Sequence, residues 1–141
     1  MRQIISLGQK EAQIAIETIR MEAEKAGKAC VMAVADSQGE LIALLRMDGA
    51  PVSSVVIATN KAWTAARERK PSGDIGKASR DPVNGFDIRN YGDPRYIGWG
   101  GGLPVIIDGM VAGAVAVSGL SSEEDEELAR AGIQAILSNQ S

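Results

Sequence analysis

Apolar positions recur along the chain with two different periods, and their alternation sets out the elements. Ser6 and Gln9 have the spacing of a capping box, and Ala12, Ala15, Ile16, Ile19 and Ala23 follow at helical intervals until Gly27 offers a stop. A first helix is therefore predicted over residues 7–26. Residues 29–35 form an unbroken apolar run, Asp36-Ser37-Gln38-Gly39 has Asp and Gly where a type I turn wants them, and residues 40–45 are apolar again. This reads as a β-hairpin. Neither run alternates cleanly, so both faces of its strands are expected to be covered by helices.

Pro51 and Ser53 or Ser54 open a second helix, which runs to about Arg69 before Lys70-Pro71 breaks it. Val55, Ala58, Ala62, Ala65 and Ala66 suit close packing on one side, while Lys61, Thr64 and Glu68 fall on another. A helical turn is predicted at 73–79. Residues 80–102 then form a long loop with Pro82, Asn84-Gly85, Gly92, Asp93-Pro94, Gly98 and Gly100-Gly101-Gly102; long loops inside compact domains are usually functional or disordered. A second hairpin pairs 103–107 with 110–118 across Asp108-Gly109, a dipeptide that tolerates the positive φ of a type I′ turn. Ser121 or Ser122 caps a last helix, in which Glu123-Glu124-Asp125-Glu126 complements the helix dipole and Leu128, Ala131 and Ala135 supply an apolar side. Two hairpins with helices before, between and after them predict a single α+β domain over 1–141, an antiparallel sheet flanked by helices.

Composition narrows the function classes. The chain has 141 residues, enough to bury a core without cross-links, and its 15 basic and 18 acidic residues form no basic stripe, which argues against a nucleic-acid partner. The lone Cys30 cannot make an internal disulfide, no stretch approaches the ~20 apolar residues needed to cross a bilayer, and the N-terminus turns polar too soon for a signal peptide. A cytoplasmic protein without a membrane partner is expected. There is no histidine. That removes the commonest general base, zinc ligand and haem axial ligand.

Candidate chemistry gathers in three places. Phe86, Tyr91, Tyr96 and Trp99, four of the five aromatic residues, lie in the 80–102 loop beside Arg80, Asp81, Asp87, Arg89, Asp93 and Arg95. Such a mixture suits a flat ligand with carboxylates; equally, the rings can pin the loop and the charges can pair with one another. Gly101, Gly102 and Pro104 let backbone approach a ligand or another strand closely. Arg46 and Asp48 end the first hairpin and either face a ligand or pair together, and Lys61 is a candidate anion-binding or nucleophilic lysine if partly buried. The site is expected where the loop, the Arg46-Met47-Asp48 corner and the Lys61/Thr64 stripe converge, near a subunit boundary. Replacing Lys61 by Met and Arg46 by Leu is expected to abolish binding of an anionic ligand and leave the fold intact.

Several of these pieces together resemble one family. Val34-Ala35-Asp36-Ser37-Gln38-Gly39, Leu45-Arg46-Met47-Asp48-Gly49-Ala50, Lys61-Ala62-Trp63-Thr64-Ala65, Gly101-Gly102-Leu103-Pro104 and the stretch from Asp108-Gly109 to Val117-Ser118-Gly119 are similar, in order and spacing, to the GlcG/HbpS family. The resemblance spans about residues 3–137 and is nearest to members from glycerol or diol clusters; a domain attached to corrinoid adenosyltransferases is also related. It implies an antiparallel sheet of about five strands, assembly into homo-oligomers, and haem or another tetrapyrrole as ligand, here without histidine ligation. Tyr91, Tyr96, Met47 and Lys61 are the candidate ligands to iron. Two functions stay open: an accessory module binding haem, a corrinoid or a similar flat anion with Arg46, Lys61 and the aromatic loop, or a small enzyme acting on an oxygenated carboxylate or aldehyde with Lys61 or Asp48 as base.

Overall fold

The computed structural model describes residues 1–140. Its elements run α1 (Gln9–Lys25), β1 (Val31–Ala35), β2 (Leu41–Arg46), α2 (Ser54–Glu68), α3 (Ser72–Ser79), a 3-10 turn (Ile88–Tyr91), β3 (Gly102–Ile107), β4 (Met110–Ser118) and α4 (Ser122–Ser138). The strands form one antiparallel sheet in the order β2-β1-β4-β3. Four strands are present among the described residues, not about five. The two hairpins supply all of them, and the segment before α1 is tied to the sheet by a single backbone bond, Leu7 N–H to the Ala112 carbonyl at 2.8 Å. That carbonyl is free because Ala112 is the unpaired residue of a bulge in β4.

Both turns follow from local chemistry. At Asp36 the Oδ1 accepts from the backbone N–H groups of Gln38 (2.9 Å) and Glu40 (3.0 Å), which closes the first hairpin. In the second, Asp108 and Gly109 both take positive φ, 51° and 77°, as a type I′ turn requires. Ser121 caps α4 through the N–H of Glu124 (3.2 Å). The first helix starts later than the Ser6/Gln9 pattern implies: Gly8 is its N-cap and Glu11 accepts the Gly8 N–H at 2.8 Å, while Ser6 Oγ accepts from Ser37 N–H instead.

The sheet separates two unlike layers. α1 and α4 pack on one face over Met32, Val34, Val105, Val115 and Val117, with Ile19 and Ile136 reaching down from the helices. The other face carries α2 on a layer made mostly of alanine: Ala33, Ala35, Ala114 and Ala116 from the strands, Ala58, Ala62, Ala65 and Ala66 from the helix. Central β1 is buried throughout, whereas edge strand β2 is only partly covered. The predicted packing side of α4 is offset: its buried stripe is Asp125, Ala129, Gly132 and Ile136, with Leu128, Ala131 and Ala135 beside it.

Candidate functional site

Side chains this small bring α2 close enough to the sheet for a lysine to reach across it. Lys61 and Asp125 are each 2% exposed. The Lys61 Nζ donates to Asp125 Oδ2 at 3.1 Å and to the Val117 carbonyl at 3.0 Å. The second carboxylate oxygen, Asp125 Oδ1, accepts the Leu120 N–H at 3.1 Å, so the pair joins α2, β4 and the start of α4. Burial lowers the Lys61 proton affinity against the pull of Asp125, and burial raises that of Asp125 against the pull of Lys61. Gly101 makes the approach possible: at φ 128°, a Cβ there would lie 2.6 Å from the Val117 carbonyl and 2.8 Å from Lys61 Nζ.

The pair lines a cleft of about 340 Å³ between the N-terminal ends of α2 and α4, together with Ser54, Ile57, Trp99, Ser118 and Ser122. Ser54 and Ser118 are 3% and 4% exposed, and their hydroxyls make no bond to the protein among the described residues but are not sealed off, the sealed unpartnered side-chain atom there being Trp63 Nε1. Trp99 stands at this cleft 59% exposed. Ser72 holds the adjoining glycine bend: its hydroxyl donates to the Trp99 carbonyl at 2.6 Å and accepts the Gly102 N–H at 3.0 Å.

Of the residues singled out from sequence, this cleft gathers Lys61 and Trp99, with Gly101 against Lys61 and Gly102 beside it; Pro104 follows in β3. Arg46 and Asp48 line a different concavity, about 510 Å³, with Met47, Lys28, Arg20 and Glu24. Tyr96 lines a third beside Asp93 and Arg89. The three concavities share no lining residue. Thr64 is fully buried, donating to the Arg95 carbonyl (3.2 Å) and accepting the Ile97 N–H (3.1 Å), so it fastens the loop. Tyr91 and Tyr96 fasten it too. Trp63, Tyr96 and Tyr91 meet edge to face at 4.6 Å steps, and Phe86 stacks on Tyr91 at 5.7 Å. The loop's charges pair locally, Arg89 with Asp87 and Arg95 with Asp93.

Sequence reasoning missed Asp125, Ser54, Ser118 and Ser72. In the sequence Asp125 reads as part of an acidic first turn; its signal is the spacing 125, 129, 132, 136, an apolar stripe whose first member is a carboxylate. Lys61→Met therefore does more than remove a charge, since it leaves the Asp125 carboxylate buried without its partner. Cys30 is buried, and burial pushes its thiol up to about 11, an inert small hydrophobe. No group of three or more His, Cys, Asp or Glu side chains among the described residues is placed to hold a metal.

A four-stranded antiparallel sheet with a helix pair on one face, a lysine-bearing helix on the other and a ligand-sized cleft at their ends defines a class of small α+β domains. Within that class the chain belongs to the HbpS-like family: the family model described as haem degrading protein HbpS-like matches residues 7–134. An uncharacterised 15.0 kDa protein from the dhaT-dhaS intergenic region of Citrobacter freundii is 34% identical over 91% of this chain and 90% of its own length. Protein GlcG of Escherichia coli K12 is 35% identical over 84% and 85%. Klebsiella pneumoniae protein ORFY superposes with a TM-score of 0.93 at 32% identity, covering 99% of this chain and 97% of that one. A PduOC–haem complex shares the fold, with a TM-score of 0.85 at 23% identity over 93% and 95%. No described helix is long and apolar enough to cross a membrane.

Proposed function

We propose that the protein binds a flat anionic ligand of the tetrapyrrole class, haem or a corrinoid relative, as a cytoplasmic accessory protein of glycerol or diol catabolism. One observation carries this reading: an exposed indole, Trp99, borders a cleft that holds the Lys61 cation and free hydroxyls, an aromatic face for a ring beside polar groups for its acids. The family's description and the haem bound by PduOC support the ligand class. The position of the Citrobacter relative between dhaT and dhaS supports the pathway.

The residues present fit the ring and its carboxylates and offer no histidine to an iron. Lys61 is committed to Asp125. Tyr91 is packed among rings, with burial and the Glu68 carboxylate pushing its phenol up, which disfavours a phenolate ligand. The Met47 sulfur lies against the Cys30 thiol at 3.9 Å. Binding through ring faces and acids is thus the supported mode.

Titration with haemin and with metal-free protoporphyrin, followed by absorbance and by Trp99 fluorescence, tests this. Both are expected to bind with similar Kd, and Trp99→Ala is expected to weaken both about fivefold, the loss of a stacking contact worth about 1 kcal/mol. Failure of both to bind would remove the reading; a strong preference for haemin would overturn the ring-and-acid mode in favour of a ligand to iron. The alternative, a small enzyme, is favoured at Lys61 over Asp48 because Lys61 is buried beside a carboxylate while Asp48 is exposed.

A further inference from the structure

We propose that Lys61 is an imine-forming lysine whose ε-amine condenses with a short-chain hydroxyaldehyde or hydroxyketone entering the cleft between α2 and α4. The proposal shares this cleft with the tetrapyrrole reading but does not rest on it, since a short-chain carbonyl compound needs Lys61, Asp125 and the two serines and not the Trp99 face. Three observations carry it. The lysine lies at the floor of a cavity of about 340 Å³, within the range of ~300–1,000 Å³ that ligand pockets occupy, and not in the closed core. Ser54 and Ser118, both more than nine-tenths buried, line that cavity with hydroxyls that bond to nothing else among the described residues. Both hydroxyls open onto the cleft and are not sealed in the core, so they are free to bond an occupant that carries hydroxyls of its own. Third, Asp125 Oδ2 lies 3.1 Å from Nζ, close enough to accept its proton directly.

The two buried side chains suffice for the chemistry. The ammonium proton passes from Nζ to Asp125, and the free amine attacks the carbonyl carbon to form a C–N bond. The carbonyl oxygen takes the proton back from Asp125 and becomes the hydroxyl of a carbinolamine. That hydroxyl then leaves as water, taking with it a proton relayed from nitrogen through Asp125. Ammonium and aldehyde have become iminium and water, Asp125 is again a carboxylate, and nothing is oxidised or reduced. The buried carboxylate faces one positive charge before and after, so condensation does not strand it. Burial, which weakens the hold of Lys61 on its proton and strengthens that of Asp125, favours the first transfer.

Glycolaldehyde with cyanoborohydride, which reduces an imine to a stable amine, followed by peptide mapping, reads the site directly. In the folded protein Lys61 is expected to be alkylated roughly tenfold faster than Lys10, Lys25, Lys28, Lys70 and Lys77, a preference that a positioned proton acceptor supplies. In urea that preference should vanish. Lys61→Met/Asp125→Leu, which removes both charges together and so keeps the core neutral, should lose the fast-reacting position and keep the slow ones. Ser54→Ala should slow labelling of Lys61 by glycolaldehyde several-fold and leave labelling by acetaldehyde, which has no hydroxyl, unchanged. Labelling of Lys61 no faster than the exposed lysines, or a preference that survives in urea, overturns the proposal; equal effects of Ser54→Ala on both aldehydes overturn its assignment to hydroxylated substrates. A failed haemin titration leaves this result untouched, and the reverse holds.

Discussion

Lys61 and Asp125 hold opposite charges where almost no water reaches, and each depends on the other for its place. Removing one member of such a pair is costly because the survivor stays buried and uncompensated, whereas removing both is often neutral or even favourable. Lys61→Met is therefore expected to lower unfolding free energy by about 3–5 kcal/mol, while Lys61→Met/Asp125→Leu returns to within ~2 kcal/mol of the parent. Urea denaturation of the three proteins checks it. Equal stability of the single and double variants would mean that the carboxylate is not held by the lysine. Arg46 makes a contrast at the same scale: it is exposed at the end of an edge strand, so Arg46→Leu should leave stability within about 0.5 kcal/mol.

At the scale of elements, α2 and α3 act as a clamp on the 80–102 loop. Thr64 supplies a donor and an acceptor to its backbone, Ser72 does the same at its end, and Trp63 receives the guanidinium groups of Arg67 and Arg95 at 4.6 and 4.3 Å from its ring. Thr64→Val keeps the side-chain volume but leaves the partly buried Ile97 N–H without its acceptor, a loss of about 1 kcal/mol. Because that loss falls on the loop, trypsin is expected to cut after Arg89 and Arg95 faster in the variant while the rest of the chain stays protected. An unchanged digestion pattern would show that the aromatic ladder alone holds the loop. These elements were legible in different degrees. Both hairpins announced themselves through unbroken apolar runs and turn residues whose φ the structure reproduces. The face of α4 did not, since its buried stripe opens with Asp125 and includes Gly132, neither of which registers as apolar. The candidate site was partly visible: Lys61 and Trp99 line one cleft, with Gly101 and Gly102 packed on Lys61, but nothing local in the sequence says that Arg46 and Tyr96 line other concavities.

For the molecule as a whole, the open sheet leaves two strand edges, the outer sides of β2 and β3, with unpaired backbone groups. A homo-oligomer is expected, and sedimentation equilibrium at micromolar concentration checks it; a stable monomer would remove the expectation. The two layers on either side of that sheet also differ in what they let the sequence become. Where α1 and α4 sit, the filling mixes alanines with isoleucine, methionine, valine and leucine, and the larger side chains can shift when a neighbour changes size. Beneath α2 it is alanine, which has no rotamer to change. Any enlargement there must lift the helix, and with it Lys61 from Val117 and Thr64 from the loop. One side of the protein thus has more slack to absorb a substitution than the other, which is held still by the thinness of its own packing.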